Sequence, residues 1–451
     1  MIRDHDTIAA PATAAGGALA VIRISGEEAL RICDRIFRGR KPLAAAAGYT
    51  VHYGEIVDDG RVLDDVLVTV FRAPRSYTGE DAAEISCHGS QYIVSEILRL
   101  LTASGARMAG PGEFTIRAYL AGKLDLSQAE AVAAIIASSS RAAHALAANQ
   151  MRGGYSDALE GLCEKLLELT ALLELELDFS EEEVEFADRA QLREAMQRIG
   201  AHIDALRNSF TLGNAIKEGV AVAITGAPNV GKSTLLNRLL NEERVLVSDI
   251  AGTTRDVIEE RINIDGVVFR FLDTAGIRAT DDRLEQMGIQ RTMSSIERAQ
   301  IVIYMTDAAR LAAGAPVAPE FPLRADQKLL VLVNKTDTAP DCPLPEGTIG
   351  ISARNGDGIE SLRRILRSFV DTEALYHGDA IVSNNRHYEA LTAAGDALRR
   401  ALDGLNNSLQ TDLLSEEIRQ VIHHVGSVTG RNSLASEEVL KHIFSKHCVG
   451  K

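Results

Sequence analysis

One stretch limits the folds open to this chain more than any other: Gly226-Ala-Pro-Asn-Val-Gly-Lys-Ser-Thr234. It spells G-x-x-x-x-G-K-[ST], a loop whose successive backbone N–H groups cradle phosphate oxygens. The flanks agree. Ala221 to Thr225 is an apolar run that reads as a buried strand, and Leu235 to Leu240 reads as the helix that follows. A phosphate bound there would face the positive end of a helix. Asn229, Val230, Gly231, Lys232, Ser233 and Thr234 are therefore expected around a nucleotide. Lys232 should reach the β- and γ-phosphates, and Ser233 should hold Mg²⁺.

Four later segments narrow the choice of nucleotide. The stretch Ser248, Asp249, Ile250, Ala251, Gly252, Thr253 and Thr254 ends in a hydroxyl, that of Thr254, suited to the Mg²⁺ shell. Val267 to Leu272 reads as a strand running into Asp273, Thr274, Ala275 and Gly276. There Asp273 can hold the metal's water and the Gly276 N–H can sense the γ-phosphate. Lys328 to Val333, another apolar strand, ends in Asn334, Lys335, Thr336 and Asp337. A carboxylate at Asp337 can accept from both N1–H and the N2 amine of guanine, a pair of donors that adenine lacks. Thr348 to Ile351 then leads into Ser352, Ala353 and Arg354, a turn of the kind that backs the base. In this order, at strand ends, the set resembles the translation-factor-like GTPases and implies GTP. One position departs. Many such GTPases carry a Gln after Asp-Thr-Ala-Gly to orient the attacking water; here it is Ile277, which cannot hydrogen-bond water. Arg255 and Arg278 lie nearby, but neither is marked as an arginine finger. Water and transition-state charge need other handlers.

The length, 451 residues, suits two to four domains. Net charge is −15, which argues against an indiscriminate nucleic-acid binder. The acid is concentrated: residues 157–204 hold 14 Asp/Glu against 4 Lys/Arg, a local balance of −10. Within it, Ser180 to Glu185 reads as a solvated turn rather than a cation site. Five Cys, at 33, 87, 163, 342 and 448, show no CxxC spacing, which suits a reducing cytoplasm. No signal peptide and no apolar run of membrane-spanning length is evident.

Residues 1–117 mix strands (Ala18 to Ile24, Asp65 to Phe71, Asp81 to Cys87) with helices (Glu27 to Phe37, Gln91 to Leu101) and read as an α+β domain. Its phrases Ser76 to Asp81 and Pro111 to Thr115 read as turns. Residues 118–215 read as all-helical. One helix opens at Leu126, with Ser127 as N-cap and Glu130 completing a capping box. Another carries Leu159, Leu162, Leu166, Leu169 and Leu173 at 3-4-3-4 spacing, a packed face. Residues 216–372 form the nucleotide domain, and 373–451 return to helix. A complete α/β domain between helical stretches reads as an insertion. The fold class expected is multidomain α+β: an N-terminal α+β domain, an all-α helical domain, and an inserted α/β P-loop domain.

Several phrases together resemble the TrmE/MnmE family of tRNA-modification GTPases over essentially the full length. They are Asp6-Thr-Ile8, Arg23-Ile-Ser-Gly26, Tyr77-Thr-Gly-Glu-Asp81, Pro111-Gly-Glu-Phe-Thr115, Gly122-Lys-Leu-Asp-Leu126, Gly252-Thr-Thr-Arg255 and the terminal Cys448-Val-Gly-Lys451. Departures are small: Ser86 and Ser90 around Cys87-His-Gly89, and Tyr119-Leu-Ala121. The resemblance implies an N-terminal domain that binds 5-formyltetrahydrofolate or a related folate and forms a homodimer. Arg23, Glu80, Lys123 and Lys451 would line its pocket. It implies a flavin- and NADH-dependent partner, GidA, in a heterotetramer-like complex with tRNA. That complex adds a carboxymethylaminomethyl-type group to C5 of the wobble uridine, position 34. It implies K⁺-dependent hydrolysis activated by dimerisation of the GTPase domains. Asn229, with groups of Ser248, Ile250 and Thr253, would hold the K⁺, and Glu285 would position the water. Cys448 would be a nucleophile or only help shape the folate site. A pure GTPase switch of ribosome assembly and a folate-dependent transferase of small-molecule metabolism are the competing readings.

Overall fold

The computed structural model describes residues 6–14, 16–178, 189–243, 259–272, 285–315, 317, 319, 321–371, 380–407, 410–430, 440, 443–444 and 450. The chain divides into two compact units: residues 1–133, 151–168 and 419–451 in one, and 134–150 and 169–418 in the other. The architecture is multidomain α+β.

The first unit is built on a seven-stranded sheet. Its strands are β1 (Ile8–Pro11), β2 (Leu19–Ser25), β3 (Phe37–Gly39), β4 (Thr50–Asp58), β5 (Arg61–Phe71), β6 (Ala82–His88) and β7 (Arg107–Met108). The order across the sheet is β3-β4-β5-β6-β2-β1-β7. All neighbours are antiparallel except β1 and β7. Alternation along β5 explains its place: Val66, Val68 and Val70 are buried while Asp65 and Leu67 are exposed, as period two demands of a half-covered strand. The buried face forms one core with Leu30, Ile32 and Ile36 of the helix Ala29–Ile36, and with Ile97 and Leu101 of the helix Gln91–Ala103. On the other face, the helix Glu113–Leu120 places Phe114 against Ile8 and Ala10.

The helix Leu126–Ala137 corrects one expectation. Its capping box is Asp125 with Gln128, not Ser127 with Glu130. Asp125 Oδ1 accepts from the Gln128 N–H at 2.8 Å, and Gln128 Oε1 accepts from the Asp125 N–H at 2.9 Å. Ser127 is buried inside the helix. The reciprocal geometry needs one residue before the first turn and one three later, and the register starts two residues earlier than the Ser suggested.

The second unit holds a six-stranded sheet: β8 (Val220–Gly226), β9 (Glu260–Ile264), β10 (Val267–Phe271), β11 (Ile301–Asp307), β12 (Lys328–Asn334) and β13 (Thr348–Gly350). The order is β13-β12-β11-β8-β10-β9, parallel apart from β9. Alternate residues of β8 enter different cores. Val220, Val222 and Ile224 pack with Leu235, Leu236 and Leu239, whereas Ala221 and Ala223 pack with Ile296 and Val302. Burial on both faces is why β8 reads as a continuous apolar run. The helices Arg189–Asn208 and Asn385–Asn406, which flank this sheet in sequence, run beside each other, and Arg193 Nε donates to Asn406 Oδ1 at 2.9 Å. The five leucines expected on a packed face, Leu159, Leu162, Leu166, Leu169 and Leu173, are buried on the helix Gly154–Asp178.

Candidate functional site

Parallel strands bring their carboxyl ends to one edge, where open α/β sheets bind ligands. Register places Gly226 beside Met305, Asp307 beside Asn334, and Gly350 beside Val333. The phosphate loop leaves β8 at Gly226 and enters the helix Lys232–Glu243. Asn229 takes φ +64° and Gly231 φ +99°. The first is left-handed, which Asn tolerates better than most residues. At Gly231 a Cβ would collide with Asn334 Nδ2, so this position accepts only glycine. Val230 between them is fully buried and anchors the loop to the core.

Lys232 lies under the loop. Its Nζ donates to the carbonyls of Gly226 at 2.8 Å and Ala227 at 2.9 Å. Burial, and then the nearby Arg310, push its pKa below the ordinary lysine value. An ammonium held against backbone carbonyls in a partly desolvated loop is a strong attractor for phosphate. Ser233 lies on the first turn of the helix, and Asn229 is exposed on the loop. Thr254, Ser248, Ile250, Thr253 and the whole run Asp273 to Gly276 lie outside the described residues, as do Arg255, Ile277 and Arg278. Glu285 opens the helix Glu285–Arg298, and its side chain is outside the description.

The base side is held by Asn334, 2% exposed. Its Nδ2 donates to the Val230 carbonyl at 2.7 Å, and its Oδ1 accepts from the Ala353 N–H at 3.0 Å. One amide thus ties the phosphate loop to the turn behind the base. Lys335, at φ +59°, donates from Nζ to Asp307 Oδ2 at 3.1 Å. Asp307 also accepts from the Arg310 N–H at the start of a short helix. Burial alone would raise the Asp307 pKa, but that N–H and Lys335 outweigh it and hold the carboxyl ionised and low. Asp337 stands exposed in the turn Thr336–Thr338. Ser352, buried, closes the opposite turn: its Oγ accepts from the Asn355 N–H, and its backbone pairs with Asp357. Arg354 is exposed beside it.

A second cluster forms on the outer face of the first sheet. Arg23 and Ser25 are two residues apart on β2 and share that face, about 7 Å from each other. Ser25 Oγ donates to Glu80 Oε2 at 2.6 Å. Lys123 arches over the turn before Glu80: its Nζ donates to the Pro74 carbonyl at 2.8 Å, and its Cγ comes near Gly79. The fold therefore gathers Arg23, Glu80 and Lys123. Arg23 is paired with Glu84 (2.7 Å) and lies by the rings of Tyr77 and Phe114. Its Nη1 donates to the carbonyl of Gly450 at 3.3 Å. A Cβ on Gly450 would collide with the Pro11 carbonyl, so Gly450 is seated tightly on this sheet. Cys448 and Lys451, on either side of Gly450, lie outside the described residues.

Sequence reading missed the groups behind Glu80. Arg117, 6% exposed, donates to both Glu80 oxygens (3.0 and 3.2 Å), to the Asp6 carbonyl and to the Asp6 carboxylate. Arg107 bridges Asp6 and Glu113. Burial alone would raise the pKa of both acids. Arg107 and Arg117 reverse this for Asp6, and Arg107, the Gly110 N–H and Arg117 for Glu113, so both stand below the ordinary range. Glu80 keeps 30% of its side chain exposed, and Arg117 Nε and Ser76 Oγ are buried with no partner among the described residues. A fixed, reachable carboxylate beside aromatic rings and cations fits a bicyclic ligand with an amidine-like edge and an acidic tail, as a folate has.

The chain matches the family described as the GTP-binding protein TrmE N-terminus over residues 7–123 and that described as the MnmE helical domain over residues 126–448. The tRNA modification GTPase MnmE of Flavobacterium johnsoniae is 48% identical, covering 99% of this chain and 100% of its own. That of Cytophaga hutchinsonii is 48% identical, at 99% and 98%. That of Parabacteroides distasonis is 49% identical, at 99% and 100%. Among solved structures, Aquifex aeolicus Era bound to GDP·AlF4⁻ is 25% identical over 39% of this chain and 65% of its own, with a TM-score of 0.24. Among the described residues no helix is long and apolar enough to cross a membrane. With 47–49% identity to such relatives across nearly the full length, the chain is a GTP-hydrolysing enzyme that belongs to the MnmE family of tRNA modification GTPases.

Proposed function

We propose that this enzyme couples GTP hydrolysis to building a carboxymethylaminomethyl-type group on C5 of the wobble uridine of certain tRNAs. It works in the cytoplasm as a homodimer joined through its N-terminal domain, with a GidA-type flavoprotein as partner. The observation that carries this reading is the seating of Gly450 on Arg23, beside Glu80 and Lys123. Gly450, two residues after the thiol of Cys448 in sequence, is held at a cluster suited to folate; a bare GTPase switch has no use for that arrangement. Residues 1–117 form the folate-binding and dimerising domain, 118–215 and 373–451 the helical domain, and 216–372 the inserted GTPase.

Within the pocket, Glu80 takes the amidine-like edge of the ligand, and Ser25 and Arg117 hold its carboxylate in one orientation. Arg23, Lys123 and Lys451 meet the acidic tail. Folate, when bound, supplies the one-carbon unit. In the GTPase domain Lys232 draws the β- and γ-phosphates, while Ser233 and Thr254 would hold Mg²⁺. Asn229, with groups of Ser248, Ile250 and Thr253, would hold K⁺, which would stand where an arginine finger stands in other GTPases. Glu285 orients the attacking water that Ile277 cannot. Asp337 reads guanine, with Ser352, Ala353 and Arg354 behind it. Mass analysis of position 34 in tRNA from cells lacking the protein tests the proposal. Loss of the modified uridine is expected; its persistence at parental levels overturns the reading.

A further inference from the structure

Arg238 lies on the helix that follows the phosphate loop, six residues beyond Lys232. Nothing in the phosphate-binding motif requires it. Yet its Nη2 donates to the Asn355 carbonyl at 2.7 Å, in the turn that begins at Ser352. That turn is otherwise closed on itself. The Gly356 N–H donates to the Ser352 carbonyl at 2.7 Å, the Ser352 N–H to the Asp357 carbonyl at 2.9 Å, and the Asn355 N–H to Ser352 Oγ at 3.2 Å. Among the described residues, two side chains tie it by hydrogen bonds to the phosphate-binding segment. Asn334 is the first, through the Ala353 N–H and the Val230 carbonyl. Arg238 is the second, and it grips the far side of the turn. The fit is close. Gly356 has φ +98°, and a Cβ there would collide with Arg238 Nη2, so the turn lets the guanidinium lie directly on its backbone.

We infer that Arg238 is a positioning residue for guanine-nucleotide binding: it clamps the turn Ser352–Gly356 to the helix of the phosphate loop, so that the base and the phosphates are held at a fixed spacing. This rests on reading Ser352 to Arg354 as the turn behind the base. A nucleotide bridging two elements binds best when their separation is set beforehand, because less ordering is left for the binding step. Without Arg238 the turn keeps the Asn334 hydrogen bonds and the packing of Ala353 in the core, but loses the hydrogen bond that holds its far side at Asn355. The base end of the site then loosens while the phosphate end, built on Val230, Gly231 and Lys232, stays in place.

The test uses the full chain with Arg238→Ala, Arg238→Lys and Asp337→Asn. A net hydrogen bond of ordinary strength predicts that Arg238→Ala raises the dissociation constants of GDP and GTP roughly two- to tenfold, mostly through faster release of a fluorescent GDP analogue. KM should rise with it while kcat at saturating GTP changes by less than about twofold. Arg238→Lys should recover part of the loss. Inhibition by pyrophosphate, which fills only the phosphate loop, should keep its constant. An equal loss for pyrophosphate would place the effect in the helix and overturn the clamp. Unchanged GDP release in Arg238→Ala, in a protein whose guanine affinity does fall with Asp337→Asn, would overturn the clamp and leave the base-site reading intact. If neither variant alters GDP affinity, the base-site reading fails and the clamp with it. A methyl at Gly356 crowds the same contact, so part of the penalty of Gly356→Ala should vanish when Arg238 is also Ala. Strict additivity would likewise overturn the contact.

Discussion

Replacing Arg117 by Met keeps most of its length and apolar stem but removes the guanidinium at the centre of the folate-like cluster. Three acceptors lose their donor: the Asp6 carbonyl, the Asp6 carboxylate, and the Glu80 carboxylate with both its oxygens. Breaking a buried ion pair from one side costs about 3–5 kcal/mol, because the remaining charge is stranded. Here the stranded acids are 24% (Asp6) and 30% (Glu80) exposed, and each keeps another partner, Arg107 at 2.8 Å and Ser25 at 2.6 Å. Water and those partners offset part of the loss, so about 2–4 kcal/mol is expected. In a unit of this size that lowers the melting midpoint by on the order of 5–10 °C. The second effect is on binding. Glu80 held by Ser25 alone can swing, and 5-formyltetrahydrofolate should bind at least about tenfold more weakly, or 1.4 kcal/mol. Calorimetric titration of the folate into the intact variant, at a temperature where circular dichroism shows it folded, measures this directly. A folded variant with the expected drop in melting point and an unchanged folate affinity would refute the reasoning, for it would mean that Glu80 either does not face the ligand or needs no help to do so.

The same cluster sets an acid limb: Asp6 and Glu113 titrate below the ordinary carboxylate range when folded, so the unfolded chain binds more protons near pH 4. Their contribution is complete above the unfolded values and is lost as pH falls through the folded ones; the slope of melting point against pH below about 5 should be shallower in Arg117→Met, and an identical slope contradicts the assignment. Hydrolysis should run much faster in K⁺ than in Na⁺, and Asn229→Ala should abolish the difference; equal rates in the two salts for the parent enzyme would rule out a K⁺ site. Cys448→Ser, which keeps size but removes most nucleophilicity, should abolish wobble-uridine modification and leave GTP turnover within about twofold; undiminished modification would leave the tail as a wall of the folate site only.

Much of the fold was legible where one local signal dominated. The runs at Val220–Gly226, Val267–Phe271 and Lys328–Asn334 are buried and bounded by turn residues, and each was readable as a strand. β11 (Ile301–Asp307) was passed over, although it is as apolar as the others and lies between β8 and β12. No motif follows it to draw attention, only Asp307 and a short helix. The hairpin of β9 and β10 was missed for a different reason. Asp265-Gly266, with φ +48° and +83°, is the Asp-Gly pair that a two-residue turn with both angles positive prefers. Its first strand, Glu-Arg-Ile-Asn-Ile, alternates too weakly in polarity to stand out. In the N-terminal sheet β1, β3 and β7 have only two to four residues each, and segments that short carry almost no periodicity.

The sites divide along the same line. Phosphate and base recognition depends on backbone shape set by neighbours in sequence, so glycines and a few side chains at fixed spacing announce it. The cluster around Glu80 depends on Arg117, Asp6 and Glu113, and the Arg117 to Asp6 hydrogen bonds cross 111 positions. No local pattern encodes such a meeting. Arg117 in sequence is one cation on a short helix, indistinguishable from a solvated one until the fold buries it to 6% exposure. A charge buried so deeply is tolerated only when its donors are matched, and here most of them are matched by Asp6 and Glu80. The same physics explains why Arg238 escaped notice. It contacts a carbonyl 117 residues away, and any residue type offers a carbonyl, so the partner position leaves no mark in the sequence. What marks the contact is Gly356, whose missing side chain makes room for the guanidinium. A glycine required by a distant arginine looks, in sequence, like any other turn.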